Sequence, residues 1–502
     1  MLKKIFEFSC ITFLSRILGL ARDTLVAYHL GSQGLSDVFL AAFRLPNLFR
    51  AYFAEGPLSV SFVPLYSGKL STPQAAQKFA NQIFSILLVF LIVLCSLLMI
   101  FTPKVLSVFA PGFLGSTYKF GLAVNLTRIM LPYLLLISIT SIIGSVLQTH
   151  NCFYVTAAAP IILNTCIVTS AFMPHLALPV YYFSVAVFIA GIVQCCFAVH
   201  MATYRKVKIN VIRPSIDADI KMFAKRSCMS VFSGCMPQIS VWINTVFASY
   251  IPGAITYFYY ADRVNQMPQA FVGVSMSLVL MPTIAKLASS GDTKKMIEKQ
   301  NCALDLGMTL IIPAAATLIA IPEPVLMTLL NYGQFDYWAI GNTASVMVVL
   351  AVALPAFVIS KILCIFFYAR GNFRMPAVFS IIALATNALF SYMLLDKYGQ
   401  VGIAIGGTLG TWTNAILLAA YLRKRKLYES SETLLVKLAH VLFAATVMVA
   451  VLIMVNAILE PYYFLGPLIR IPALFCHLGI GVAAYLGTLC IAFRQKVSLG
   501  DM

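Results

Sequence analysis

The chain has 502 residues, of which 61% are hydrophobic and only 10% charged, and its formal net charge is +18. Soluble domains carry about a quarter charged residues. Here the apolar residues fall in blocks of about 20 separated by short polar joints, which excludes a soluble globular protein and predicts an all-α polytopic membrane protein. The Lys and Arg residues gather at the ends of the apolar blocks, so the basic balance reflects the topology rule for cytoplasmic loops and argues against nucleic-acid binding.

Fourteen transmembrane helices are predicted, at roughly 5–30, 36–66, 79–102, 118–148, 153–173, 179–203, 217–250, 254–286, 302–321, 338–369, 375–395, 400–422, 433–458 and 467–493. The first carries Lys3 and Lys4 before its apolar run, but Arg16 and Arg22 interrupt that run and no small-residue cleavage site precedes them, unlike a cleaved signal. Alternate joints are basic, except the one near 149–152, which lacks Lys and Arg. They carry Lys69 and Lys78; Arg205, Lys206, Lys208 and Arg213; Lys286, Lys294, Lys295 and Lys299; Arg370 and Arg374; Arg423, Lys424, Arg425 and Lys426; and Arg494 and Lys496. The intervening joints are nearly free of Lys and Arg, with Lys104, Lys119 and Lys397 as exceptions. Both termini are therefore expected in the cytoplasm.

The largest basic joint, 204–221, divides the chain into six spans and eight. Spans 1–2 and 7–8 both start inside and both carry charge. Six spans return the chain to the same side, so a repeat would be parallel. The expected organisation is an N-lobe at 1–203, a cytoplasmic basic linker at 204–221 running into span 7, a C-lobe at 217–422 and a final helix pair at 433–493. The two six-helix lobes would be related by a parallel pseudo-twofold, with the two C-terminal helices appended. In span 12, Gly402, Gly406 and Gly410 form a small-xxx-small stripe of the kind that lets membrane helices pack closely.

The informative residues are the ionisable ones inside spans: Arg16, Arg22, Asp23, Asp37, Arg44, Arg50, Glu55, Arg128, Asp262, Arg263 and Lys361. Each would cost a few kcal/mol or more facing lipid unpaired, so each should face a bundle interior or a watery cavity. With a rise of about 1.5 Å per residue, Arg16 lies roughly 16 Å from the cytoplasmic end of span 1 and Arg22 about 9 Å farther out. On the same scale Arg50 lies roughly 21 Å from the outer end of span 2, and Arg263 roughly 14 Å into span 8. Two readings fit. Internal pairing would match Arg22 with Asp23 or Asp37, and Arg263 with Asp262. A cavity for an anion would account for the excess of seven bases over four acids, since arginine donates two parallel hydrogen bonds to phosphate. Pro46, Gly56 and Pro57 in span 2, and Pro237, Pro268 and Pro282 in spans 7 and 8, mark breaks suited to a cavity lining or a hinge.

The twelve cysteines lie mostly within apolar segments without zinc or haem spacing, and the six histidines are scattered. No metal-binding, nucleophile-elbow or Walker motif appears, so neither catalysis nor direct ATP-driven transport is expected.

The stretches "SRILGLARD", "SDVFLAAFRLPNLFRAYFAEG", "LPYLLLISITSIIGSVLQTHNCF", "APIILN" and "YYADR" resemble the lipid II flippase family (MurJ, also called MviN), over essentially the whole chain. That family belongs to a larger superfamily of multidrug, oligosaccharidyl-lipid and polysaccharide exporters. The resemblance implies a transporter of the bacterial inner membrane rather than an enzyme. It would move lipid II, the undecaprenyl-diphosphate-linked peptidoglycan precursor, from the cytoplasmic to the periplasmic leaflet by alternating access through a central cationic cavity. A polysaccharide-lipid or multidrug exporter of the same superfamily is the alternative. Arg22, Arg50 and Arg263 match the family's diphosphate-binding arginines, with Arg16, Asn47 and Thr256 as further substrate-binding positions. Asp23, Asp37, Glu55, Asp262 and Lys361 match its gating and charge-network positions. Spans 13 and 14 would form a groove for the lipid tail. Two departures matter. Gln266 stands where some members have an acid, and Asn387 and Ser391 leave span 11 without the buried acid of a sodium site. The resemblance thus implies no metal and no cofactor, with membrane potential as driving force. The implied partners are lipid II, the bilayer and the cell-wall synthesis machinery, and the expected state is a monomer.

Overall fold

The computed structural model describes residues 2–32, 34–53, 57–150, 152–173, 178–425, 427–428 and 432–492. No strand occurs among them. The helices are α1 (Leu2–Leu30), α2 (Leu35–Phe53), α3 (Pro57–Ser67), α4 (Pro73–Ile100), α5 (Thr102–Phe109), α6 (Thr117–Thr149), α7 (Tyr154–Ala171), α8 (Pro179–Tyr204), α9 (Ala218–Ala248), α10 (Ala254–Pro268), α11 (Ser275–Ser289), α12 (Thr293–Ala320), α13 (Pro322–Leu330), α14 (Tyr337–Ala351), α15 (Leu354–Ala369), α16 (Arg374–Lys424), α17 (Glu432–Tyr463) and α18 (Pro467–Ala492). Among the described residues, nine helical stretches are long and apolar enough to cross a membrane. The protein is a polytopic all-α membrane protein.

Helices cover each predicted span, but several spans are composite. The second is α2 followed by α3, and the tenth is α14 followed by α15. The eighth is α10, a π-helical segment at Gln269–Val274, and α11. The π turn begins directly after Pro268, which has no N–H to continue the i→i−4 ladder, so the backbone widens there. Proline also sits in the first turn of α15, where its missing N–H is harmless. Spans 11 and 12 run together as α16. The break falls at Gly399, with φ 54° and ψ −132°, a conformation that a side chain strongly disfavours.

The chain forms two compact units, Met1–Thr256 with Tyr332–Phe335, and Tyr257–Asn331 with Asp336–Met502. In the first, α6 packs against α2, α4 and α8, and α1 packs against α7. By its contacts α9 groups with this unit, lying against α3. Their joint carries an aromatic cluster: Phe62 stacks on Tyr66 and Phe79, and Phe223 meets Phe62 and Phe79 edge-on. Such pairs contribute about 0.5–1.5 kcal/mol each beyond area burial.

The joint between α8 and α9 is not a loose linker. Residues 207–217 run without helix along α4, packing Val207 and Ile209 inward. Gln77 donates to the Lys208 carbonyl (3.1 Å), Asn81 accepts from the Asn210 amide (3.0 Å) and Ser85 accepts from the Ile212 amide (2.9 Å). Gln82 then donates to Ser215 and, at 3.2 Å, to Asp217. Beyond it, Lys69 pairs with Asp219 at 2.6 Å. The polar stripe of α4 thus satisfies backbone groups that would otherwise lie open at the membrane edge.

In the second unit α12 packs against α15 and α17, α15 against α16, and α17 against α18. The glycine stripe of α16 faces its own first half. A Cβ at Gly406 would strike Ser391 and the Asn387 backbone, and one at Gly402 would strike the Leu394 carbonyl. Close helix packing is therefore what the stripe provides.

Candidate functional site

In the first unit, Arg22 and Asp23 lie side by side on α1, and both are buried. Asp23 Oδ1 accepts from Arg22 Nε (3.0 Å) and Nη2 (2.6 Å). Arg22 Nη1 donates to Asn164 Oδ1 on α7 at 3.1 Å. Asn164 in turn donates to the Ser15 carbonyl at 3.1 Å, so one amide both orients the guanidinium and ties α7 to α1. Of the two acids expected beside Arg22, Asp23 is the partner. A buried pair of this kind needs such extra hydrogen bonds to offset its desolvation.

Asp37 has a different task. It is buried near the start of α2, and its carboxylate faces the start of α10. It accepts from the Gly253 amide (2.6 Å), the Thr256 amide (3.0 Å) and the Thr256 hydroxyl (2.7 Å). Those amides are the orphan donors of a helix N-terminus, where the dipole also favours a negative charge. Asp37 therefore caps α10 from across the unit. Thr256 is fully buried, and its hydroxyl is directed at Asp37.

Farther along α2, Arg44 donates to Thr245 on α9 at 2.6 Å, and Arg50 donates to Asn47 at 3.1 Å, one turn earlier. All three polar residues of α2 here are half-buried. Asn47 thereby holds the Arg50 side chain against the helix. Arg16 is exposed on α1, and so is Arg128 on α6, whose Nε donates to the Met99 carbonyl at 3.2 Å. Glu55 lies outside the described residues.

In the second unit, Asp262 and Arg263 are both half-buried on α10. Asp262 accepts from Gln266 at 2.6 Å, so the position where an acid was expected steadies the existing one. Asn265 is buried and donates to the Met347 carbonyl at 3.4 Å, linking α10 to α14. Lys361 is exposed on α15, its ammonium 5.4 Å from the Phe357 ring centroid. Ser391 donates to Asn387 at 3.0 Å beneath the α16 glycines.

Three polar residues that the sequence reading passed over are buried and well bonded. Asn164 is one. Arg470 on α18 is another: it donates to the carbonyls of Met327 (2.7 Å), Asn331 (3.0 Å) and Leu465 (3.0 Å). The first two carbonyls end α13, where a cation complements the helix dipole. The third is His477. Its Nε2 meets the Leu452 carbonyl at 2.8 Å, which can only accept, so Nε2 carries the proton and Nδ1 accepts from the Tyr463 hydroxyl at 2.8 Å. All three were hidden for the same reason: a single polar residue in an apolar run gives no sign of its partner. Among the described residues no group of three His, Cys, Asp or Glu side chains is arranged to hold a metal.

Comparison with known proteins identifies the family. A family model described as "Lipid II flippase MurJ" matches residues 26–474. A probable lipid II flippase MurJ of Rickettsia prowazekii (strain Madrid E) is 33% identical over 491 residues, 97% of this chain and 96% of that one. The lipid II flippase MurJ of Burkholderia cenocepacia is 32% identical over 431 residues, 84% and 83% of the two chains. Among solved structures, a lipid II flippase MurJ in an inward closed conformation superposes with a TM-score of 0.82 at 24% identity, covering 97% of this chain and 99% of that one. An inward-facing MATE multidrug transporter of the MOP superfamily superposes at 0.68 with 16% identity, over 82% and 94%. The family match, the relatives above 30% identity and the shared fold lead to one conclusion: this chain belongs to the MurJ lipid II flippase family.

Proposed function

We propose that this chain carries lipid II from the cytoplasmic to the periplasmic leaflet of the bacterial inner membrane by alternating access, with both termini in the cytoplasm. The observation that carries the reading is the buried Arg22–Asp23–Asn164 assembly in α1 and α7. A fixed, oriented guanidinium at membrane depth is costly, and such residues mark substrate pathways. The name of the matching family supplies the substrate class, and a diphosphate suits a guanidinium fork.

In the proposed cycle Arg22, Arg50 and Arg263 hold the diphosphate, with Arg16 and Asn47 beside them. The ligand offsets the mutual repulsion of the arginines in one state more than in the other, which is what shifts a two-state equilibrium. Asp23 and Asp262 hold arginines in place. The Asp37 cap on α10, formed with Thr256, is the gating contact: a helix N-terminus that is satisfied in one state and open to water in the other. Glu55 and Lys361 complete the charge network. The tail lies against α17 and α18. Membrane potential alone drives net movement, without a sodium ion, because Asn387 and Ser391 offer no buried acid. The chain works as a monomer, beside the cell-wall synthesis machinery that consumes its product.

The test is a lipid II translocation measurement in proteoliposomes, with and without an imposed potential. Arg50→Ala and Arg263→Ala are each expected to abolish translocation while the protein still accumulates and melts normally. Full translocation by either variant would remove the arginines from the mechanism. Translocation that is indifferent to potential but follows a sodium gradient would overturn the driving force.

A further inference from the structure

Residues 207–217 lie within the stretch 204–221 that was expected to be a cytoplasmic basic linker running into span 7. The structure instead pins it to α4, and its course along that helix has a direction. Lys208 is held at the level of Gln77, Asn210 one turn deeper at Asn81, and Ile212 another turn deeper at Ser85. The chain then turns at Arg213–Pro214 and returns to Gln82 through Ser215 and Asp217. At about 1.5 Å per residue, Ser85 lies roughly 18 Å along α4 from Pro73. It stands just past Ile83 and Phe84, where the apolar run of α4 has begun. The joint is a hairpin dip, within the first unit, into the start of the apolar run of α4.

The exposed side of this dip is amphipathic. Val207 and Ile209 pack inward, so their neighbours face out. Val211 and Ile216 are 66% and 73% exposed, far more than two β-branched residues in water would favour. Arg205, Lys206, Lys208 and Arg213 are exposed around them, and Lys221, Lys225 and Arg226 follow on the first turns of α9. Two acids stand nearby: Asp219 pairs with Lys69, and Asp217, which accepts from Gln82 and Ser215, keeps its charge, so the seven cations remain in excess. Apolar tips flanked by snorkelling cations are the chemistry of an interfacial anchor on an anionic bilayer.

We propose that residues 205–216 form a lipid-contact site, with Val211 and Ile216 seated at the acyl boundary and Lys208 and Arg213 engaging the phosphates of anionic phospholipids. Three of its backbone groups, the Lys208 carbonyl and the Asn210 and Ile212 amides, are satisfied by α4 side chains, which lowers the cost of seating the joint at that depth. The site needs neither the transport reading nor a particular orientation, since its chemistry is that of a headgroup and an acyl edge.

The full-length chain in nanodiscs tests it. Val211→Trp, with Ile216→Trp as a second exposed variant, is read above the three native tryptophans. Acyl-brominated lipid is expected to quench the introduced indole, more strongly in phosphatidylglycerol than in phosphatidylcholine. Lys208→Gln with Arg213→Gln should erase that difference and lower phosphatidylglycerol retention about fivefold for each cation removed. The matched pair Lys294→Gln with Lys299→Gln, on α12, should leave it unchanged. Quenching by aqueous iodide instead of brominated chains, equal quenching in the two lipids, or an equal loss from the α12 pair would each overturn the proposal.

Discussion

Arg22 owes its orientation to a residue 142 positions away. The adjacency of Arg22 and Asp23 is plain in the sequence, and so is the cost of leaving them unpaired. Asn164 is not: nothing in "APIILN" says that its amide faces Ser15 and Arg22 rather than another helix. Hydrogen bonds to charged groups contribute about 1.5–3 kcal/mol. Asn164→Ala is therefore expected to lower stability by about that amount and to slow lipid II translocation, as read by thermal unfolding and by the proteoliposome measurement. Asn164→Asp, which keeps the acceptor, should retain the Arg22 bond and lose the tie to the Ser15 carbonyl. Thr256 makes a similar comparison. The family resemblance implies a substrate-binding position, and in the structure its hydroxyl donates to Asp37 inside the first unit. Thr256→Ser should be close to neutral. Thr256→Val should destabilise by about 1.5–3 kcal/mol, because a buried carboxylate loses one of its three donors.

At the scale of elements, the sequence announces where a helix is troubled more clearly than how the trouble is resolved. Pro268 marked span 8 for a break, and the resolution is a six-residue π segment. The joint between spans 11 and 12 was expected at 396–399, and the structure makes it without leaving the helix: Gly399 alone adopts a positive φ inside α16. Gly402, Gly406 and Gly410 were legible as a packing stripe, and the packing decides their mutability. Gly406→Ala would drive a methyl into Ser391 and the Asn387 backbone, and overpacking of this sort costs about 1–3 kcal/mol. Gly479 on α18 has open space instead, so Gly479→Ala should stabilise by about 0.4–1 kcal/mol. Thermal melts of the two variants in one detergent check the opposite signs. Helix starts add a pH dependence. Asp292 caps α12 through the Lys295 amide (3.1 Å) and pairs with its ammonium (3.2 Å). The hydrogen bond from the Lys295 amide, and then that from its side chain, hold the Asp292 carboxyl below its ordinary value of 3.8. A lowered native pKa means that the unfolded turn binds the proton first. The cap thus contributes fully above pH 3.8 and is lost as pH falls through the lower native value. Amide exchange at Lys295 and Met296 should accelerate below that point in the native chain, and should be fast throughout in Asp292→Ala.

For the whole molecule, composition and charge placement carried most of the architecture. Apolar blocks gave the spans that the helices cover, because hydropathy acts over many residues and survives local irregularity, and the alternating basic joints gave the expected orientation. The same rule predicts that an alkaline phosphatase fusion at the carboxyl terminus is inactive, whereas one inserted after Gly466 is active. The reverse pattern would invert the topology. Less legible was the grouping of helices. The basic joint at 204–221 reads as a cytoplasmic linker running into span 7, and by its contacts α9 groups with the first compact unit. The separation of α17 and α18 rested on their lack of internal charge. Arg470, near the start of α18, escaped that reading, and it complicates the idea of a removable tail. Trimming the chain to twelve spans would remove the Arg470 guanidinium from the carbonyls of Met327 and Asn331, leaving Met327 with the Asn331 amide alone. The last two helices are thus less an accessory fastened to a finished transporter than a second closure for the end of α13, delivered by one side chain of α18.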